Sequence, residues 1–348
     1  MRLAFYAPLK PPADPVPSGD RAMARALLRA LEVAGAQVAQ PAGLRSRDPA
    51  GDPALQSRLI AQADAALPDL IAHGRTEDWQ AWITYHSYYK APDLLGPAAA
   101  RALRIPYLLI EATRARKRLG GPWDAFARRA EAACDAADVI FYLTARDRVA
   151  LEDYAPAGQT LLHLRPFLPR DDLPPQAGGA HLLAVGMMRE RAKLASYTLI
   201  AQTLALLPAH VTLEIAGDGP ARAQVAAAMA PLGARVRFLG ALDTAALSQA
   251  YLRAGALFWP GVDEAFGMTY IEAQAHGLPV IAQDRDGVRD VVFPRAYPAP
   301  ALGAAGLAAF AQTPAPDAAD VRARIAAHHL LPAAAATLRA GLAQAGVA

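Results

Sequence analysis

Short apolar runs recur along this chain, and each is followed by a glycine- or proline-bearing loop and then a stretch of helical periodicity. In the first half the runs fall at 3–6, 36–39, 82–85, 106–110, 139–143 and 161–164. The alternation starts again at 181–185 and continues at 211–216, 236–239, 256–259 and 280–282. Strands apolar on both faces must be covered on both faces, so the pattern predicts parallel sheets with crossover helices in an α/β chain. Helices are expected from the 17–20 loop to about 34, near 54–72, near 92–103, over 123–137, from 144, and over two Ala-rich stretches at 317–328 and 332–345. The Pro-rich segment 165–179 has the composition of an interdomain linker and separates two doubly wound halves.

With 348 residues, 54% of them hydrophobic and 19% charged, the chain is long enough for two cores and too apolar for disorder. A net charge of +3 suits anionic small molecules or a membrane surface and falls short of a nucleic-acid footprint. One cysteine, Cys134, excludes an internal disulfide and suits the cytosol. The opening residues meet charge and proline too early for a signal peptide, and no run is long and apolar enough to span a bilayer. A cytoplasmic protein is expected, with peripheral contact at the inner face of the membrane allowed for.

Chemistry concentrates in 259–282, which reads as a strand end, a polar loop, an amphipathic helix and a Gly-Leu-Pro turn into the next strand. Glu264 sits in the loop and Glu272 about two turns into the helix, so both can face a ligand at the strand's carboxyl end. Backbone N–H groups of Phe266, Gly267 and Met268 at the helix start suit an anion. In the first half, Gly19 opens a helix after the first strand, while His86 and Glu111 stand just past the strands at 82–85 and 106–110. Tyr85, Tyr88 and Tyr89 read first as core and second as a sugar-stacking face. The basic run Arg114, Arg116, Lys117 and Arg118 is either a solvated loop or a contact for an anionic acceptor or a membrane surface.

The segment from Glu264 through Phe266, Gly267 and Glu272 to the Gly-Leu-Pro-Val beginning at Gly277 resembles the family 4 glycosyltransferases. The Ile-Ala-Gly-Asp-Gly-Pro run at 215–220, the Phe-Leu-Gly at 238–240 and the stretch 251–260 support the resemblance over about 100 residues of the second half. It implies a GT-B fold, two Rossmann-like doubly wound domains facing across a cleft. An acceptor-binding domain would occupy 1–167, a nucleotide-sugar-binding domain 168–328, and a final helix at 329–348 would cross back to the first domain. The implied activity is retaining transfer of a sugar from a nucleotide diphosphate sugar to a sugar or lipid-linked acceptor of cell-envelope type.

On this resemblance Glu264 would accept hydrogen bonds from sugar hydroxyls and Glu272 from ribose hydroxyls. Arg189 and Lys193, with Arg191 competing, would neutralise the diphosphate, helped by the helix start Ala265, Phe266, Gly267, Met268 and Thr269. Gly19, Gly186, Gly217, Gly240 and Leu242 complete the donor-side candidates, the last two near the base. The resemblance implies no metal and no cofactor. Many members carry a His where this chain has Glu111, so Glu111 joins the catalytic candidates, with His86 and Arg114 on the acceptor side. A nucleotide-sugar epimerase, a phosphorylase and a non-catalytic nucleotide-sugar binder remain as alternatives on the same fold.

Overall fold

The computed structural model describes every residue except Pro17, Ala42 and Ala348, so Pro17 of the loop at 17–20 lies outside the described residues. The chain divides into two compact units, Met1–Arg165 with the chain from Leu331 onward, and Pro166–Leu330.

The first unit is built on six parallel strands: β1 Arg2–Tyr6, β2 Gln37–Ala39, β3 Ala81–Ser87, β4 Tyr107–Ala112, β5 Val139–Tyr142 and β6 Thr160–His163. Their spatial order is β2-β1-β3-β4-β5-β6. The order reverses between β1 and β3, and the crevice outside the strands' carboxyl ends at such a reversal is where open α/β sheets take ligands. The helix after β1, Gly19–Val33, starts because the Ser18 hydroxyl accepts from the Arg21 amide at 3.2 Å, and it buries Met23, Leu27 and Leu31 at four-residue spacing. Asp52 caps Pro53–Thr76 in the same way, with Pro53 in the first turn. Each such cap contributes about 1 kcal/mol. The helix Leu331–Gln344 also belongs to this unit, where the Arg339 guanidinium donates to the carbonyls of Val33 and Ala34 at the end of Gly19–Val33. Gly341 lets that helix close on Phe141, since a Cβ there would lie 2.2 Å from the ring.

Two local expectations change. The helix read at 92–103 begins only at Gly96, because the Asp93 carboxylate turns back to accept from the amides of Leu95 and Gly96. His86 and Glu111 are not loop residues beyond their strands. Both lie within β3 and β4, in left-handed backbone at φ 61° and 57°, and the ladder resumes beyond them at Ser87 and Ala112.

The second unit has five parallel strands, β7 His181–Val185, β8 Leu213–Ala216, β9 Val236–Gly240, β10 Ala254–Phe258 and β11 Val280–Ile281, in the order β11-β10-β7-β8-β9. Its reversal point falls between β7 and β10. The segment expected to be a linker is packed onto this unit from Pro166 onward. The Leu168 amide donates to the His329 carbonyl, and Arg322 and His276 hold the carbonyls of Pro174 and Pro175. Its prolines read as linker composition because they remove amide donors, yet their carbonyls remain to be bonded. Among the described residues no helix is long and apolar enough to cross a membrane.

Asp93 is the polar keystone of the first unit. It is fully enclosed and accepts from the Thr84 hydroxyl, the Tyr107 hydroxyl at 2.8 Å and the two amides, while burial raises its pKa against these bonds. Asp93→Ala would strand four donors, and urea denaturation should show the first unit weakened by about 3 kcal/mol. An unchanged midpoint would contradict this role.

Candidate functional site

At the reversal point of the second unit, Lys193 enters from the helix Ala192–Leu206 that follows β7, and Glu264 from the loop that follows β10. Lys193 Nζ lies 2.6 Å from Glu264 Oε2, and the same oxygen accepts from Trp259 Nε1 at 2.9 Å. The side chains remain 27% and 15% exposed, so the pair stands at the wall of the site and a ligand can reach both. Lys193 Nζ also lies 5.0 Å from the centre of the Trp259 ring, a cation–π placement.

Trp259 is itself immobilised. The Tyr270 hydroxyl donates to its carbonyl at 2.9 Å, and the Tyr197 ring packs edge-on against the indole at 5.2 Å. The Tyr197 hydroxyl in turn donates to the Gly186 carbonyl at 2.6 Å. The indole explains Gly186, where a Cβ would fall 2.8 Å from the ring. Strand-end crowding explains Gly217, where it would fall 1.9 Å from the Gly186 carbonyl oxygen. Gly217 donates its amide to Gly240 at 2.7 Å, and Leu242 packs on the core nearby. These glycines shape the floor of the strand ends.

The helix Met268–Ala275 begins after Gly267, whose φ of 65° and lack of a side chain fit it under the Tyr270 ring. No side chain caps this helix start, so the amides of its first turn, from Met268 and Thr269, are left for a ligand or water, beside exposed Ala265 and half-buried Phe266. Glu272 lies in the second turn and is half-buried. Burial raises its pKa, and the Tyr251 hydroxyl donates to Oε2 at 2.8 Å. Arg189 is exposed. Arg191, held at φ 62°, lines a cavity of about 560 Å³ with Arg285, Gln202, Gln283 and Val262.

In the first unit the reversal point gathers His86, Asp20 and Glu111. His86 Nδ1 lies 3.2 Å from Asp20 Oδ1 and 4.0 Å from Glu111 Oε2, with Asp20 in the first turn of the helix opened by Gly19. A Cβ on Gly19 would meet nothing within 4 Å. Burial lowers the His86 pKa, but the charges of Glu111 and Asp20 outweigh it and the net shift is upward. Asp20 is pulled down by its hydrogen bond to His86, and Glu111 is pushed up by burial. Left-handed backbone at two non-glycine positions costs on the order of 1–3 kcal/mol each, a cost that clusters where side chains must be aimed.

Arg114 is not available to an acceptor. Its side chain is 1% exposed and pairs with Glu131 at 2.8 Å and Asp135 at 2.7 Å, while donating to the Tyr154 carbonyl. A basic run in sequence cannot reveal that one member faces inward toward carboxylates on the helix Asp124–Ala136. The chain's single Asp-x-Asp triplet, Asp284-Arg285-Asp286, has both carboxylates paired with Arg289. Among the described residues no cluster of three or more His, Cys, Asp or Glu is arranged to hold a metal ion. Sequence reasoning missed Asp20 as the partner of His86 and Trp259 as the partner of Glu264. A carboxylate one residue after the helix-opening Gly19, and a tryptophan closing a strand, were the available signals.

The His86 cluster gives a pH prediction. A raised histidine pKa stabilises the fold fully below the unfolded value of about 6.5, and this is lost as pH rises through the folded value. The His86→Ala variant should therefore melt below wild type at pH 6 and approach it in alkaline solution. The imidazole NMR titration of wild type should have a midpoint above about 6.5, falling in Glu111→Gln. A midpoint below that value would contradict the cluster's electrostatics.

Residues 179–311 match the sequence model of the family described as Glycosyl transferases group 1. A GDP-mannose-dependent alpha-mannosyltransferase of Mycolicibacterium smegmatis is 40% identical over 95 residues, which is 27% of this chain and only 24% of that protein. Among solved structures, sucrose-phosphate synthase from Thermosynechococcus elongatus superposes with a TM-score of 0.66 at 19% identity, over 97% of each chain. Anabaena HepE in complex with UDP and glucose superposes with a TM-score of 0.67 at 14% identity, over 98% of this chain and 99% of that one. At such identities the likeness bears on the fold. Residues 179–311 are thus similar to the glycosyl transferases group 1 family, on a chain that has the GT-B fold of these structures.

Proposed function

We propose that this chain is a retaining glycosyltransferase that moves a sugar from a nucleotide diphosphate sugar to an acceptor hydroxyl without a metal ion. The observation that carries the reading is the Lys193–Glu264 pair, braced by Trp259 and set beside an uncapped helix start. A cation, a carboxylate and free amides at one strand end match the parts of such a donor. The diphosphate takes the positive charge of Lys193 and the amides at Met268 and Thr269, and a sugar hydroxyl donates to Glu264. Glu272 would accept from ribose hydroxyls, with Tyr251 fixing its carboxylate. Arg189 or Arg191 supplies further positive charge.

In this scheme the ion pair opens when the donor binds. Lys193 exchanges Glu264 for phosphate, and Glu264 exchanges Lys193 for the sugar. The chemical step needs no protein nucleophile. The acceptor oxygen attacks the anomeric carbon from the side of the departing diphosphate, and a phosphate oxygen of the donor takes the acceptor's proton. Catalysis then rests on holding charge that grows on the leaving diphosphate, which Lys193 does better in the transition state than in the bound donor. The first unit would receive the acceptor, with Glu111 and His86 as partners for its hydroxyls. The name of the mannosyltransferase relative makes GDP-mannose the first donor to try, and the complex of HepE with UDP-glucose makes that donor the second. A lipid-linked acceptor would bring the enzyme to a membrane face.

Glu264→Gln and Lys193→Ala should each lower nucleoside diphosphate release by about 100-fold or more with melting temperatures near wild type. NMR of the product should show the donor's anomeric configuration, and EDTA should leave the rate unchanged. Wild-type turnover in either variant would remove the donor-site assignment, and an inverted product or EDTA sensitivity would remove the mechanism.

A further inference from the structure

A second surface of the first unit is chemically distinct from the His86 cluster that it adjoins. The loops following β2, β3 and β4 meet at the carboxyl edge of the sheet, where the Trp123 indole donates to the Asp48 carbonyl at 3.0 Å. An isolated antiparallel bridge between Tyr88 and Ala91 folds the loop after β3 into a tight hairpin with Tyr89 and Lys90 at its tip. From His86 the rings form a ladder: His86 to Tyr88 at 5.1 Å, Tyr88 to Tyr89 at 5.5 Å, and Tyr89 to Trp123 at 5.6 Å. Two cations flank its far end. Lys90 Nζ lies 5.7 and 5.4 Å from the ring centres of Tyr89 and Trp123, and Arg118 Cζ lies 4.9 and 5.6 Å from the same two. All four of these side chains are half-buried, so each keeps a face toward solvent.

Packing alone does not account for this arrangement. Among the described residues neither Lys90 nor Arg118 has a carboxylate within ion-pair distance, although they crowd the same two rings. Arg118 Nε is buried with no hydrogen-bond partner. A buried guanidinium N–H without an acceptor is costly, and an anion would relieve both it and the repulsion between the cations. Exposed Arg47 acts electrostatically on Tyr88, and exposed Lys117 adjoins Arg118, so cations gather at this end of the ladder. The opposite end carries Asp20 and Glu111, acceptors for hydroxyl groups, and Glu111 Oε2 is likewise buried with no hydrogen-bond partner, 4.0 Å from His86 Nδ1.

We infer that this surface binds a sugar ring bearing an anionic group, a carboxylate or a phosphate, with its hydroxyls toward Glu111 and Asp20 and its charge between Lys90 and Arg118. The C–H face of a pyranose stacks on tyrosine, which the ladder offers midway between the two poles. The inference deepens the glycosyltransferase reading, on which it rests for calling this sugar the acceptor. A neutral sugar would leave both cations unanswered. A nucleic acid would need a longer basic stripe.

The test is calorimetric titration of the whole protein at low salt with glucuronate, glucose 1-phosphate, methyl glucoside and inorganic phosphate. Glucuronate or glucose 1-phosphate should bind at least about tenfold more tightly than methyl glucoside. The tighter of the two names the anion. Arg118→Gln and Lys90→Gln should abolish that preference, Arg118→Lys should keep most of it, and Tyr89→Leu should weaken every sugar. The Arg118 and Lys90 variants should still bind the nucleotide-sugar donor like wild type. Equal affinity for methyl glucoside would overturn the anionic part, and inorganic phosphate binding as tightly as glucose 1-phosphate would overturn the sugar. No binding of any acidic sugar by a protein that still binds donor would overturn the inference and leave the donor reading standing. Loss of donor binding with acidic sugars still bound would do the reverse.

Discussion

The Lys193–Glu264 ion pair is the constraint around which the second unit is arranged. It exists because β7 and β10 are neighbours although far apart in sequence, so the helix after one and the loop after the other open at the same edge. A partly exposed pair of this kind contributes little stability, on the order of 1 kcal/mol or less. The surroundings are nevertheless built to hold it. Trp259 fixes the carboxylate, Tyr197 and Tyr270 fix Trp259, and Gly186 leaves room for the indole while Gly217 leaves room for the Gly186 carbonyl. That much support for so small a stabilising return is the pattern of a site whose geometry serves a ligand.

The first unit repeats the logic with different chemistry. Its reversal point, between β1 and β3, carries a histidine between two carboxylates, and two adjacent strands leave the normal backbone region to present His86 and Glu111. Beyond them the polarity runs from acidic through aromatic to basic within a few residues of chain. The two units thus differ in chemistry, with uncapped amides and a lysine in one and hydroxyl acceptors and flanking cations in the other.

The strands, their parallel pairing and the two α/β units were legible because buried parallel strands are apolar on both faces, a signal that survives in one sequence. The loop and helix bearing Glu264, Gly267 and Glu272 were legible for the same reason, being local. What involved distant residues was not. Nothing in the run 114–118 says that Arg114 folds inward to Glu131 and Asp135 while Arg118 turns to Tyr89 and Trp123. The Asp20–His86 contact joins residues on different strand ends, and the Pro-rich run after Arg165 disguised a segment bonded to Arg322 and His276. Positive φ at Glu111 has no local signature, and at His86 only the modest enrichment of histidine in that region.

The central claim is that the second unit holds a nucleotide diphosphate sugar through Lys193 and Glu264. It is tested most directly by a thermal-shift panel of uridine, guanosine and adenosine diphosphate sugars on wild type and Lys193→Ala. A ligand that binds only the folded state raises the melting temperature by mass action. The account predicts a rise with at least one of these donors in wild type and its loss in the variant. A flat response of wild type to all three, or an equal rise in the variant, would contradict it.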